Sequence, residues 1–260
     1  MNSVMKTQIA RFQNGHLEYI EDLVVMEQPA TIFINREELV TLLCSPMGFE
    51  YLGVGFLVGE GLIKKREDLS SIQVISDTGL IYLETKNQNE IAKILFGKRI
   101  ITTGCGKGTS FYHAMDSFQC RKIDSNVCIS AGSLKMLMEK FHQSSVIYRT
   151  TGGVHGACLS DGKDMMFFHE DIGRHNAVDK VIGEAFLKKY DLNDKILVTS
   201  GRISSEILIK AGRVGIPIVL SRSAPTGLSV ELAKKLGITL IGFARGNRMN
   251  VYSEHHRIKE

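Results

Sequence analysis

The chain has 260 residues, 43% of them hydrophobic and 23% charged, with a formal net charge of +4. That composition suits one large domain or two modest ones and argues against disorder. Four prolines against 25 glycines mean few rigid turns and many places where backbone bends tightly or approaches something closely.

Residues 1–20 read as a loosely held arm with no apolar core of a secretory signal. Leu23 to Glu27 and Ala30 to Ile34 have strand character around Gln28-Pro29, and Glu38 to Cys44 reads as a third strand. Ser45-Pro46 has the form of a helix N-cap followed by proline at the first helical position. Phe49, Leu52, Gly53, Phe56 and Leu57 then keep helical spacing up to Gly59 or Gly61. Ile72 to Ser76 and Leu80 to Glu84 flank the turn Asp77-Thr78-Gly79 as a hairpin. The most apolar stretch, Leu52 to Ile63, holds Glu60 and several glycines and is far shorter than the ~20 residues a bilayer requires.

The middle of the chain is punctuated by Thr102-Thr103-Gly104-Cys105-Gly106-Lys107-Gly108-Thr109. Glycines leave the Cys105 sulfur uncrowded and Lys107 favours its thiolate, which suits a nucleophile on a flexible loop. A small apolar residue in a linker fits the same letters equally well. Cys44 and Cys158 fall in apolar runs and read as buried; Cys120 and Cys128 flank a polar stretch. Five scattered cysteines in a chain of this length predict reduced thiols and a cytoplasmic location, not a disulfide framework.

From about Ser130 helices and strands alternate. Leu134, Leu137, Met138 and Phe141 mark a helix, and Val154 to Leu159 and Met165 to His169 are strands around Asp161-Gly162. Arg174 to Lys189, Ser204 to Arg213 and Leu228 to Leu236 are helices separated by apolar runs at Lys195 to Thr199, Ile216 to Leu220 and Ile238 to Phe243. Continuous apolar strands between helices predict an α/β fold with a largely parallel sheet covered on both faces.

In such a sheet, ligands sit beyond the carboxyl ends of the strands. Polar, small-residue turns recur there: Ser200-Gly201-Arg202, Ser221-Arg222-Ser223-Ala224-Pro225-Thr226, Glu170 to Asn176, and Phe243-Ala244-Arg245-Gly246-Asn247-Arg248. Backbone N–H groups and arginine forks at helix starts suit the phosphates of a nucleotide. His175 and Asp179 share a helix face, so they either orient a ligand or pair with each other. Zinc deaminase chemistry is excluded, because Ala157 stands where His-x-Glu needs its glutamate and no Pro-Cys-x-x-Cys occurs. No other zinc spacing is present, and no basic stripe with interleaved aromatics points to nucleic acid.

Several motifs in order carry a resemblance: Ser45-Pro46 with Glu50 and Gly55-Phe56-Leu57; Gly104-Cys105-Gly106; Thr151 to His155; Glu170 to Lys180; Ser200-Gly201-Arg202; Ser223 to Thr226; and Phe243 to Arg248 with Asn250-Val251-Tyr252. Over about Leu23 to Ser253 the chain resembles the formate dehydrogenase accessory sulfurtransferase family (FdhD). The resemblance implies a small N-terminal α+β domain at 21–110, after the arm at 1–20. A cytidine-deaminase-like three-layer domain without zinc would follow at 111–260.

It also implies a sulfur carrier. Cys105 would take sulfur from a cysteine desulfurase as a persulfide and pass it to the molybdenum cofactor, as Mo-bis(molybdopterin guanine dinucleotide), before insertion into formate dehydrogenase. Phe243, Ala244, Arg245, Gly246, Asn247 and Arg248 would contact the guanine dinucleotide. Ser200, Gly201, Arg202, Ser221, Ser223, Thr226 and His175 would complete the pocket, with guanine nucleotides as mimics and a homodimer as the assembly. One departure stands out: Gly108 occupies the place where many members have a second loop cysteine. The competing reading is a nucleotide- or cofactor-binding chaperone module without sulfur transfer.

Overall fold

The computed structural model describes residues 3–86 and 121–260. It opens with a hairpin of two ten-residue strands, β1 (Val4–Gln13) against β2 (His16–Val25), where the sequence suggests a loose arm. The reason is local. Asn14 and Gly15 both adopt positive φ (54° and 83°), the two-residue turn whose twist matches paired strands.

β3 (Gln28–Ile34), β4 (Glu37–Cys44), β5 (Leu69–Ile75) and β6 (Leu80–Thr85) form a four-stranded sheet in the order β4-β3-β6-β5. Helix α1 (Phe49–Gly59) lies on it, and a Cβ added at Gly53 would stand 2.7 Å from Ile81 Cγ2. The helix starts later than Ser45-Pro46 suggests: its N-cap is Gly48, in the left-handed region at φ 61°. Ser45 is instead recruited by residues 126 positions and more further on. Its N–H donates to Asp171 Oδ2 (3.1 Å), its Oγ accepts from the Ile172 N–H (3.2 Å), and its carbonyl accepts from Lys180 Nζ (3.3 Å).

In the second half come β7 (Ile129–Ser130), α2 (Ala131–Ser144), α3 (Val146–Thr151), β8 (His155–Ser160), β9 (Met165–Asp171) and α4 (Arg174–Leu187). They are followed by β10 (Ile196–Thr199), α5 (Ser205–Arg213), β11 (Ile218–Ser221), α6 (Gly227–Leu236), β12 (Thr239–Arg245), β13 (Arg248–Val251) and β14 (Ile258–Lys259). The six-stranded sheet runs β13-β12-β11-β10-β8-β9. Only β10, β11 and β12 are mutually parallel; β8, β9 and β13 run against their neighbours. The sheet is therefore mixed where the apolar runs suggest a largely parallel one, because hydrophobicity reports burial on both faces and not strand direction.

Three layers result. Leu197, Val219 and Leu240 face α4, α5 and α6, while Val198, Leu220 and Ile241 face Leu134, Leu137 and Phe141 of α2. The first of these cores continues without a break into Ile32, Leu52, Leu57 and Ile81 of the N-terminal unit. α1 and α4 meet almost backbone to backbone: a Cβ on Gly55 would lie 1.8 Å from the Asp179 carbonyl oxygen, and one on Gly183 would lie 2.0 Å from that of Tyr51. Dispersion is strongest at such short range, and only glycine permits it here.

Candidate functional site

The C-terminal ends of β9, β10, β11 and β12 and the N-terminal end of β8 converge on one edge of the six-stranded sheet. Antiparallel β8 brings Gly152 to His155 to the place where the parallel strands end. Every strand-end loop singled out in the sequence therefore shares this edge.

Small polar residues lock these loops to one another. Ser200 Oγ accepts from the Gly156 N–H (3.0 Å) and lies 3.4 Å from His155 Nδ1. Ser221 Oγ donates to the Gly201 carbonyl (2.7 Å) and accepts from the Ser223 N–H (2.9 Å). Thr226 caps α6 by accepting from the Ser229 N–H (3.3 Å). The Ser221 and Thr226 hydroxyls thus serve the loops themselves, leaving amides and arginines as the groups offered to a ligand. Gly201 is buried against Arg174, whose Cβ would stand 2.8 Å from an added Cβ. Arg202 is exposed. The Nε of Arg174 is buried without a hydrogen-bond partner among the described residues. Burial, with Arg174 and Arg202 beside it, holds the His155 imidazole below the usual histidine range.

His175 and Asp179 do not pair with each other. His175 Nε2 lies 3.0 Å from both Ser204 Oγ and Glu206 Oε2, and burial, aided by Lys210, pushes its pKa down to about 4. Asp179 is gripped by Lys210 Nζ at 2.6 Å through both carboxylate oxygens. The neighbouring Asp171 takes Lys180 Nζ at 2.5 Å together with the Gly173 N–H (2.8 Å) and Asn176 Nδ2 (3.0 Å). Most of the segment Glu170 to Lys180 is therefore a buried clamp that fixes α4 and holds Ser45. Glu170 does the same for α3, accepting from the N–H groups of Ile147 (3.0 Å) and Tyr148 (2.9 Å).

The β12–β13 turn carries Phe243 to Arg248. Phe243 sits in the left-handed region at φ 53°, a conformation unusual for a bulky side chain, and the ladder bulges between Gly242 and Arg245. Its N–H donates to the Ser223 carbonyl (3.0 Å), and the Arg248 guanidinium lies over its ring at 5.9 Å. Arg245 Nε donates to the Arg222 carbonyl (2.9 Å). Ala244 is buried, whereas Arg245, Gly246, Asn247 and Arg248 are exposed.

Between this turn and α2 opens a cleft of about 140 Å³. Lys135, Glu139 and His142 of α2 form one wall, Arg222, Arg245 and Arg248 the other, and Met138, Ala244 and Met249 line it between them. Lys135 Nζ reaches Asn247 Oδ1 (2.6 Å) and Arg222 Nη1 reaches His142 Nδ1 (3.0 Å), tying both ends of the α2 wall to the opposite side. In the sequence, α2 is marked by its apolar stripe alone. The signal for its second role was the adjacent polar row at 135, 139 and 142, whose spacing places all three on one face. Such a cationic, partly apolar cleft suits an anion that carries a flat ring.

Among the described residues, no group of three or more His, Cys, Asp or Glu side chains could hold a metal ion, and no helix is long and apolar enough to cross a membrane. Cys44 and Cys158 are buried, and burial followed by the nearby Asp171 raises the Cys44 thiol to about 12, far from a thiolate at neutral pH. Cys105, its glycine-rich loop with Gly108, and Cys120 lie outside the described residues.

A protein from Listeria innocua named sulfur carrier protein FdhD is 42% identical over 99% of this chain and 100% of its own length. The Bacillus subtilis protein of the same name is 39% identical over 96% of this chain and 95% of its own. A crystal structure described as that of a putative formate dehydrogenase accessory protein, from Desulfotalea psychrophila, superposes with a TM-score of 0.82 at 28% identity, covering 99% of this chain and 100% of the other. The FdhD/NarQ family pattern matches residues 25–259, from the last residue of β2 through β14. The chain belongs to the FdhD/NarQ family.

Proposed function

We infer that this protein is a sulfur carrier for formate dehydrogenase maturation that accepts sulfur on Cys105. The name shared by its relatives supports the carrier role, and the cationic sheet edge supports a phosphate-bearing client. In the first step the Cys105 thiolate attacks the terminal sulfur of a cysteine desulfurase persulfide, whose S–S bond breaks as the new one forms. In the second, the Cys105 persulfide delivers that sulfur to the molybdenum cofactor in its bis(molybdopterin guanine dinucleotide) form. Release as sulfide requires two electrons, and an external thiol supplies them, because Gly108 stands where a second loop cysteine would be. The client's phosphates lie along Arg202, Arg222, Arg245 and Arg248 and the amides of the strand-end loops. The carrier works in the cytoplasm as a homodimer.

The observation that carries the client reading is the convergence of three arginine-bearing loops, after β10, β11 and β12, on one edge, with a cleft beside them. Cys105→Ser tests the carrier. Incubation with a cysteine desulfurase and cysteine should add one sulfur to the intact mass of the unaltered chain and none to the variant. The variant should fold normally yet give no active formate dehydrogenase in cells lacking their own accessory protein. Full activity from the variant would refute sulfur transfer through Cys105 and leave a binding module.

A further inference from the structure

The α2 wall of the cleft carries a single carboxylate. Among the described residues, every other ionisable group lining the cleft, Lys135, His142, Arg222, Arg245 and Arg248, is a cation or a histidine. The neighbours of Glu139 on its own helix face are both occupied: Lys135 by Asn247 Oδ1 and His142 by Arg222 Nη1. Glu139 lies between these two cross-cleft ties, exposed, with no ion pair or hydrogen bond among the described residues. A cleft of about 140 Å³ is far smaller than the ~300–1,000 Å³ that encloses a whole small-molecule ligand. It accommodates one planar ring system against Met138 and Met249, with the rest of the ligand outside among the arginines.

We propose that Glu139 is the specificity-determining residue of this site, reading a guanine base in the α2 cleft through the carboxylate. The assignment rests on the guanine dinucleotide client proposed above and goes beyond it by naming the group that selects the base. An ionised carboxylate only accepts hydrogen bonds. Guanine offers two adjacent donors on its pairing edge, the ring N1–H and the 2-amino group, so it makes two parallel charge-assisted bonds. Adenine presents one donor beside a ring-nitrogen acceptor, which faces the second oxygen with no proton between them. A site built around such a pair rejects the ligand that leaves one member unpaired. Electrostatics alone would favour a fifth cation at position 139, since the phosphates outside are anionic. A carboxylate there weakens non-specific anion binding and strengthens only a ligand that bonds to it.

That opposition of signs makes the assignment testable. Calorimetry on the full chain would use GDP, ADP and inorganic pyrophosphate as probes against the unaltered protein, Glu139→Ala, Glu139→Gln and Arg248→Ala. The unaltered chain should bind GDP at least about tenfold more tightly than ADP. Both Glu139 variants should lose that preference, GDP weakening about tenfold while ADP and pyrophosphate hold or tighten. Arg248→Ala should weaken all three probes together. Should GDP tighten or stay unchanged in step with ADP in the Glu139 variants, Glu139 merely offsets the surrounding cations and the assignment fails while the client reading stands. If the unaltered chain binds none of the probes, the client reading fails and takes the assignment with it. An exposed helix position keeps folding out of the result, which an unchanged unfolding midpoint would verify.

Discussion

His175, which the sequence places at the expected pocket, ties two helices together. It stands in the first turn of α4, with Nε2 3.0 Å from Ser204 Oγ and Glu206 Oε2, joining α4 to the start of α5. Burial lowers its pKa to about 4, against roughly 6.5 in the unfolded chain, so it is neutral in the fold at physiological pH. A group that binds its proton less readily when folded favours the unfolded state as acid is added. Its stabilising contribution is complete above pH ~6.5 and disappears as pH falls towards 4, a loss on the order of 2–3 kcal/mol. Replacing it by glutamine, which keeps a hydrogen-bonding end but does not titrate there, should flatten this part of the stability curve. Urea midpoints of both proteins at pH 7 and pH 5 measure the difference, and equal pH sensitivity would remove His175 as its source.

At the scale of elements, the α1–α4 contact is the least forgiving feature. A methyl at residue 183 meets the Tyr51 carbonyl at 2.0 Å, and rigid backbone on both sides leaves it nowhere to go. Gly183→Ala should therefore cost at least about 3 kcal/mol, beyond the usual range for overpacking a yielding core. Gly227→Ala is the control: an added Cβ there has nothing within 4 Å, and the variant should gain roughly 0.5 kcal/mol by stiffening the unfolded chain. Chemical denaturation of the two variants reads both signs. The periodicity at Phe49, Leu52, Phe56 and Leu57 does identify α1, and the apolar runs after Ser130 identify most of the sheet's strands to within a few residues. The failures have physical causes. Asn14-Gly15 is a strong local turn signal set within a polar stretch that otherwise reads as an arm, whereas Ser45 reads only as a cap because its true partners lie at 171 to 180. The loops of the site were visible in the sequence, but the α2 wall was not, since two elements more than a hundred residues apart create it.

For the whole molecule, the boundary expected between residues 110 and 111 lies outside the described residues, and the described parts on either side of it share one core. Ala177, Val181 and Ile182 of α4 belong to the same buried cluster as Leu52 and Leu57 of α1. The Asp171–Lys180 pair also relies on Ser45 for part of its hydrogen bonding. Severing the chain should strand a buried ion pair and uncover the apolar side of α4, each costing several kcal/mol in a protein whose margin is only about 5–15. We predict that residues 121–260 expressed alone retain helical circular dichroism but bind a hydrophobic dye and unfold without a sharp transition. A cooperative transition with native-like midpoint would show that the two halves are independent.

Because α1 ends at Gly59 and its partner α4 ends at Leu187, the ribosome releases the first long before the second exists. At typical synthesis rates of about 5–20 residues per second the interval is on the order of 10 s. Throughout it, a nascent helix with nine buried-type residues, from Phe49 to Gly59, has only the four-stranded sheet to cover it. The glycines that later allow backbone contact also make that helix intrinsically weak, at roughly 1 kcal/mol each relative to alanine. Translation therefore passes through a stage at which this apolar helix lacks its main packing partner, and slower codons before Leu187 would lengthen that stage.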